Sequence, residues 1–169
     1  GLAKIDFIEI DYVTEGPACS ALLARDTIDP TEELVIANCD QIMKWDSYMF
    51  LINAQQFSGC VVTYYSDTSK NSYARIDENG FVQEIREKEV ISNISLNGIH
   101  YWRHAKAFFD SVDKMMSVGD RAPNGEYYIG PSYNYHIPGF VTGIYHIPNE
   151  CHNAVGTPDD LEKYLMKVE

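Results

Sequence analysis

Asp40 closes the segment Leu34-Val35-Ile36-Ala37-Asn38-Cys39-Asp40, a short apolar run that leads to a carboxylate. A carboxylate just beyond the end of a strand is well placed for a hard cation. Mg²⁺ takes oxygen ligands, keeps several waters and needs only one or two carboxylates beside a substrate phosphate. Asp in this position also caps turns. Thr14-Glu15-Gly16 precedes Pro17 and a run of small residues. A glycine there permits close backbone approach, and a helix start offers free N–H groups to an anion or a base edge. A third set comprises Glu87-Lys88, Asn97-Gly98 and Gly125-Glu126, with Tyr73 and Tyr128 near them in sequence. Glu and Asn side chains suit hydroxyl groups, and Lys88 can meet a phosphate as a point charge. Each of these residues is equally at home in a turn or on a solvated surface.

Other chemistries find little support. His100 and His104 are four apart, but Tyr101-Trp102-Arg103 between them and a strand-to-helix change spoil a one-face metal pair. No H-E-x-x-H, G-x-S-x-G, Walker-type or G-x-G-x-x-G motif is present. The 25 acidic against 13 basic residues give a net charge of −12, which argues against nucleic acid or an anionic membrane as partner. An anionic substrate would therefore need local Lys or Arg, or a metal ion. Cys19, Cys39, Cys60 and Cys151 stand isolated, as expected for reduced thiols of a cytoplasmic protein. No apolar run approaches the length of a membrane span, and no signal peptide opens the chain.

Positioning these residues requires an ordered set of elements. Alternation over residues 5–13 predicts a strand, and Pro17 to Arg25 a helix. Leu34–Ala37 reads as a strand buried on both faces. A helix over 45–57 and a strand over 59–65 follow. Asp77-Glu78-Asn79-Gly80 lies between Tyr73–Ile76 and Phe81–Ile85 and predicts a hairpin. A strand near 96–102, an amphipathic helix over 105–116, a loop over 119–125, a helix over 127–137 and a strand over 140–147 come next. Thr157-Pro158-Asp159-Asp160 then has the N-cap, proline and first-turn acids of a helix start. The order implies one α/β unit, its sheet parallel at first and antiparallel later.

In chain order these segments resemble the sugar-1-phosphate nucleotidyltransferases, also called nucleotide-sugar pyrophosphorylases. Thr14–Ala21 is similar to that family's base-recognition loop and following helix, and Leu34–Gln41 to the strand ending in its metal-binding aspartate. Tyr73–Ile76 with Glu84–Lys88 is similar to the segment whose Glu-Lys pair meets the sugar phosphate. Asn97–Tyr101 resembles a sugar-contacting strand, Gly125–Ile129 the Gly-Glu motif, and Val155–Leu161 the Gly-Thr-Pro-x-Asp-Leu turn.

The resemblance implies a three-layer α/β/α fold with a mixed, mainly parallel sheet. It implies transfer of a nucleoside monophosphate from a nucleoside triphosphate to a sugar 1-phosphate or similar phosphate, with Mg²⁺ as cofactor, in polysaccharide or cell-envelope precursor synthesis. Asp40 would hold the metal and Lys88 the acceptor phosphate. Thr14, Glu15 and Gly16 would face the nucleotide, and Tyr73, Glu87, Asn97, Gly98 and Glu126 the sugar. The family's opening strand and Gly-rich triphosphate loop have no counterpart here, and Ala154 stands where many members carry a second metal-binding Asp. The expectation is that residues 1–169 form a single partial domain, beginning about a third of the way into the usual one and inactive alone. Its exposed sheet edge predicts self-association, as a possible homo-oligomer. The rival expectation is a non-catalytic nucleotide- or sugar-binding domain of the same fold. A metal-dependent glycosyltransferase fits less well, because Gln41-Ile42 follows Asp40 where a second Asp would stand.

Overall fold

A computed structural model describes residues 5–168. Its elements are α1 (Pro17–Leu22), β1 (Leu34–Ala37), β2 (Gln41–Met43), α2 (Ser47–Ala54), β3 (Gly59–Tyr65), β4 (Ser72–Ile76), β5 (Val82–Glu87) and β6 (Ile94–Trp102). They continue with α3 (Ala105–Ser117), α4 (Ile129–Ser132), β7 (Thr142–His146), β8 (His152–Ala154) and α5 (Pro158–Val168).

Strands β5-β4-β6-β3-β7 form the main sheet, and β1 also pairs with β6. The sheet is mixed, as expected. The expected mainly parallel balance is not found, because β3–β7 is the one parallel pair among the described residues. The physical reason lies in β6. Its long span accepts β3 along one edge, and on the other it accepts β4 at Ser95 and β1 from Ile99 to Trp102, all antiparallel. Along that second edge, β4 and β1 both end opposite residues 96–98, and the gap between them opens a crevice.

Each face of the sheet carries its own core. Val61, Ala74, Ile85 and Trp102 pack with α3, α4 and Tyr133 on one side. Cys60, Val62, Ile99 and Tyr101 pack with Phe50 and Ala54 of α2 on the other. This arrangement gives the layered α/β/α plan. The sequence of α3 sets its buried stripe, with Ala105, Phe108, Phe109, Val112 and Met115 at helical spacing. Each fully buried Phe, Val or Met side chain contributes roughly 1.5–3 kcal/mol. Trp102 and Tyr133 stack with centroids 3.9 Å apart, and the Tyr133 hydroxyl donates to Tyr101 O at 2.9 Å.

Local signals act as their chemistry predicts. Asp46 caps α2 by accepting from Tyr48 N and Met49 N at 3.0 and 3.1 Å. Thr157 Oγ1 accepts from Asp160 N at 3.2 Å at the start of α5. In the β4–β5 turn, Asp77 accepts from Asn79 N and Phe81 N, and Gly80 takes the left-handed conformation at φ 82°.

Three expectations need correction. Residues 5–13 form no strand, and Phe7 and Val13 are 88% and 97% exposed. Alternation alone cannot make a strand, and no described strand runs beside this segment to satisfy its backbone groups. Strand β1 is half-buried rather than covered on both faces, since Val35 and Ala37 are exposed. The helix expected over 127–137 shortens to α4 and a 3-10 turn at Tyr133–Tyr135. Strands β2 and β8, unforeseen, pair Gln41 with Ala154 and Met43 with His152. No helix among the described residues is long and apolar enough to cross a membrane. All four cysteines are free thiols.

Candidate functional site

The crevice at the split edge of β6 is a cleft of about 300 Å³. Asn38, Asp40 and Gln41 line it from the connection after β1, and Lys70, Asn71 and Ser72 from the approach to β4. Glu87 lies at the end of β5, Leu96, Asn97, Gly98 and His100 on β6, and Tyr128, Ile129 and Gly130 at the start of α4. Pro17, Tyr64, His152 and Ala154 complete the wall.

One end of the cleft is tightly bonded. Glu87 is only 7% exposed and accepts a hydrogen bond from Ser72 Oγ. Burial pushes its carboxyl above the usual range, against the pull of Ser72 and Lys88. Lys88 follows with a backbone φ of 57°, the left-handed region. Its ammonium donates to the Tyr128 hydroxyl at 2.8 Å and lies 4.9 Å from that ring's centroid. Tyr128 in turn donates to Glu126 at 2.6 Å, and Asn124 donates to both. The hydrogen bond to Tyr128 raises the Lys88 ammonium, and the bonds from Tyr128 and Asn124 lower the Glu126 carboxyl, so both stay charged. Asn97 Oδ1 accepts from Ile99 N at 3.0 Å, which fixes its amide.

The other end is bare. Among the described residues, the side chains of Asn38, Asp40, Gln41 and Lys70 have no hydrogen bond or ion pair. Backbone geometry instead places Asp40. Val155 N donates to Asp40 O at 2.9 Å, so the β2–β8 pair clamps the aspartate from behind. A Cβ on Gly156 would lie 2.4 Å from Asp40 Oδ2, so a larger residue there would push the carboxylate aside. The charge of Asp40 partly offsets the burial that lowers the His152 imidazole. No group of three or more His, Cys, Asp or Glu that could hold a metal occurs among the described residues. A free carboxylate with no protein cage around it fits Mg²⁺, which takes its remaining ligands from phosphate oxygens and water.

The structure therefore brings Asp40, Glu87, Asn97 and Gly98 together on one cleft, with Lys88 and Glu126 joined to it through Tyr128. Gly98 has φ 88°, and a Cβ there would lie 2.3 Å from Asn38 Nδ2. Thr14, Glu15 and Gly16 stand behind the wall, where only their neighbour Pro17 reaches it. Thr14 bonds to Ser20 and to Gly16 O, and Glu15 pairs with Arg121. Gly16, at φ 126°, lets the chain run against Tyr127, whose carbonyl a Cβ would approach to 2.5 Å. Tyr73 lies outside the cleft. It is fully buried, and its hydroxyl donates to Thr68 O at 2.6 Å, bracing the loop that carries Lys70 and Asn71.

Sequence reasoning missed Asn38, Tyr64, Lys70, Asn71, Ser72, His100 and His152. Asn38, Lys70 and Asn71 sit on connections without periodicity, and Tyr64, Ser72, His100 and His152 on strands whose pattern does not mark them for a site. Lys70, a cation in an acidic chain just before a predicted strand, was the one available signal. His100 and His104 do not meet, since His100 is buried and the His104 ring bonds to Thr31 O at 2.9 Å.

The fold is that of the nucleotide-sugar pyrophosphorylases. Solved structures similar to this chain include the nucleoside-diphosphate-sugar pyrophosphorylase from Vibrio cholerae RC9, at TM-score 0.78 and 19% identity over 93% of this chain and 67% of that one. A candidate glucose-1-phosphate thymidylyltransferase from Bacillus anthracis, in complex with a sucrose, matches at 0.66 and 21% identity over 88% of this chain and 58% of its own. HddC from Yersinia pseudotuberculosis, complexed with GMP-PN, matches at 0.63 and 18% identity over 98% of this chain and 68% of its own. This chain spans about two thirds of the length of these three proteins or less. No family model and no curated protein matches the sequence.

Proposed function

We propose that the cleft is the acceptor site of a sugar-phosphate nucleotidyltransferase. The observation that carries this reading is the placement of Asp40, Glu87, Asn97 and Gly98 around one cleft, with the Lys88 ammonium fixed by Tyr128 at its margin. In the reaction, an oxygen of the acceptor phosphate attacks the α-phosphorus of a nucleoside triphosphate. A new P–O bond forms, the bond from the α-phosphorus to the bridging oxygen breaks, and pyrophosphate leaves. Such transfers need positioning and charge neutralisation more than a protein nucleophile.

Asp40 would hold Mg²⁺, which when bound would neutralise charge on the phosphates. Lys88 meets the acceptor phosphate, and its bond to Tyr128 holds the ammonium in one place before substrate arrives. Glu87, largely withdrawn from water and bonded to Ser72, offers an oxygen to sugar hydroxyls, as do Asn97 and Glu126. Thr14, Glu15 and Gly16 act indirectly, through the turn that presents Pro17 to the cleft.

Calorimetry with a sugar 1-phosphate, and separately with each nucleoside triphosphate plus Mg²⁺, tests the reading. The expected outcome is saturable binding of the sugar phosphate, weakened about tenfold or more by Lys88→Met. Absence of binding by every phosphate ester would remove the proposal. Ala154 and the lone Asp40 carboxylate favour a second reading, a domain of this fold that binds but does not catalyse. Binding of both substrates with no dependence on Mg²⁺ would select it.

A further inference from the structure

Resting on that reading of the cleft, we propose that Lys70 is a specificity-determining residue for the acceptor. Its ammonium reads a second anionic group, a carboxylate or a further phosphate, carried on the acceptor's carbon skeleton apart from the ester phosphate. The cleft therefore takes doubly anionic esters ahead of singly anionic ones and turns away esters whose skeleton is cationic.

Charge sets Lys70 apart. Among the described lysines and arginines, only the side chains of Lys44, Lys70 and Lys114 have no hydrogen bond or ion pair, and of these Lys70 is the one on the cleft wall. With 25 acidic against 13 basic residues, the chain has countercharges to spare, yet none is spent here. The side chain is exposed, so a molecule in the cleft can reach it. The backbone beneath it is firmly held. The Tyr73 hydroxyl donates to Thr68 O at 2.6 Å, and Asn71 Nδ2 donates to the Tyr64 hydroxyl at 2.9 Å and to Ser66 Oγ at 3.1 Å. Lys88 N donates to Asn71 O at 2.9 Å. These bonds fix the chain on both sides of Lys70 and leave its ammonium without a partner.

Topology assigns this charge to the acceptor. Strands β4 and β1 flank the gap along β6, and Asp40 comes from the β1 flank. Lys70 comes from the β4 flank, where Asn71 is bonded to Lys88 and Ser72 is paired with Glu87. The two ammoniums of that flank differ in what already answers them. Lys88 is bonded to Tyr128 and feels the charges of Glu87 and Glu126. Lys70 has no such company. With the ester phosphate at Lys88, the bare ammonium is left for a different anion on the same molecule. Cleft walls of low dielectric focus the field of an unanswered charge on whatever binds between them. That field attracts a second anion and repels a cation, so it excludes wrong acceptors as well as favouring right ones.

The test is calorimetry on the full chain with four probes: glucose 1-phosphate, glucuronic acid 1-phosphate, glucose 1,6-bisphosphate and glucosamine 1-phosphate. One or both of the doubly anionic probes should bind about tenfold more tightly than glucose 1-phosphate. Which of them does so tells a carboxylate from a phosphate. Glucosamine 1-phosphate should bind most weakly. In Lys70→Met the doubly anionic probes should fall to the level of glucose 1-phosphate, and Lys70→Arg should keep the wild-type ranking. Lys70→Glu should reverse it and place glucosamine 1-phosphate first. The wild-type ranking needs no variant, so it decides the matter if a variant fails to fold. An equal loss for every probe in Lys70→Met would put the ammonium on the ester phosphate. That result would overturn the inference and leave the cleft assignment standing. Loss of nucleoside triphosphate binding alone in Lys70→Met, or equal binding of all four probes to the wild-type chain, would overturn it as well. Failure of all four to bind would remove both.

Discussion

The two ends of the cleft are built on opposite principles. Around Lys88, Tyr128, Glu126 and Asn124, each polar group already has a partner 2.6 to 3.0 Å away. Around Asp40, the side chains of Asn38, Gln41 and Lys70 have none among the described residues. A pre-bonded end loses little order when ligand arrives and can hold one geometry. A bare end is completed by whatever binds there, which suits phosphates and a hydrated cation. The contrast divides labour: the bonded end sets orientation, and the open end neutralises charge.

The strongest way to break this comparison is to neutralise the open end. Asp40→Asn should weaken Mg²⁺-dependent binding of a nucleoside triphosphate by about 10–100-fold, measured by calorimetry. Thermal unfolding should stay unchanged, because the carboxylate has no bonded partner to lose. A matched loss of stability would show that the end is structural after all.

Gly98 joins the two ends. Gly98→Ala forces a side chain onto a φ of 88° and against Asn38, and should cost about 1–3 kcal/mol of stability in denaturant titrations.

Acid separates the buried rings from the bonded carboxylates. His100 and His136 are both lowered to about 4 by burial. The unfolded chain therefore binds more protons than the folded one between about pH 6.5 and 4. Stability from these rings is full above that window and falls as pH drops through it, by up to about 1.4 kcal/mol per pH unit for each ring. Glu87 works in the other direction, since its raised carboxyl favours the folded state at low pH. Urea titrations across the window should show a steeper acid loss for wild type than for His100→Phe.

The smallest expected effect sharpens the comparison most. Tyr128→Phe removes the hydroxyl that bridges Lys88 and Glu126 and leaves the ring. Phosphate-ester affinity should fall about tenfold, while stability changes by less than about 1 kcal/mol. The Lys88 ammonium should titrate lower by ¹³C NMR, because its largest raising influence is gone.

Much of the scaffold was legible because its causes are local. The hairpin turn, the stripe of α3 and the Thr157 cap all act over a few residues. Residues 5–13 alternate as well as any strand here, yet whether they pair depends on a neighbour that local pattern cannot supply. Strands β2 and β8 join residues more than a hundred positions apart through three-residue segments too short for periodicity to register. The site was legible where a residue closes a strand, as with Asp40 and Glu87. It was illegible where loops contribute, as with Lys70 and Asn71. Tyr73 was misplaced because an aromatic in a strand faces either side with equal ease, and register alone put it in the core.

The left-handed backbone of Lys88 sets activity against robustness. A glycine would sit there without strain, so Lys88→Gly should unfold at a higher temperature, by the equivalent of about 1 kcal/mol, while binding phosphate esters less well. A screen that rewarded heat resistance alone would therefore select away the charge on which the cleft relies.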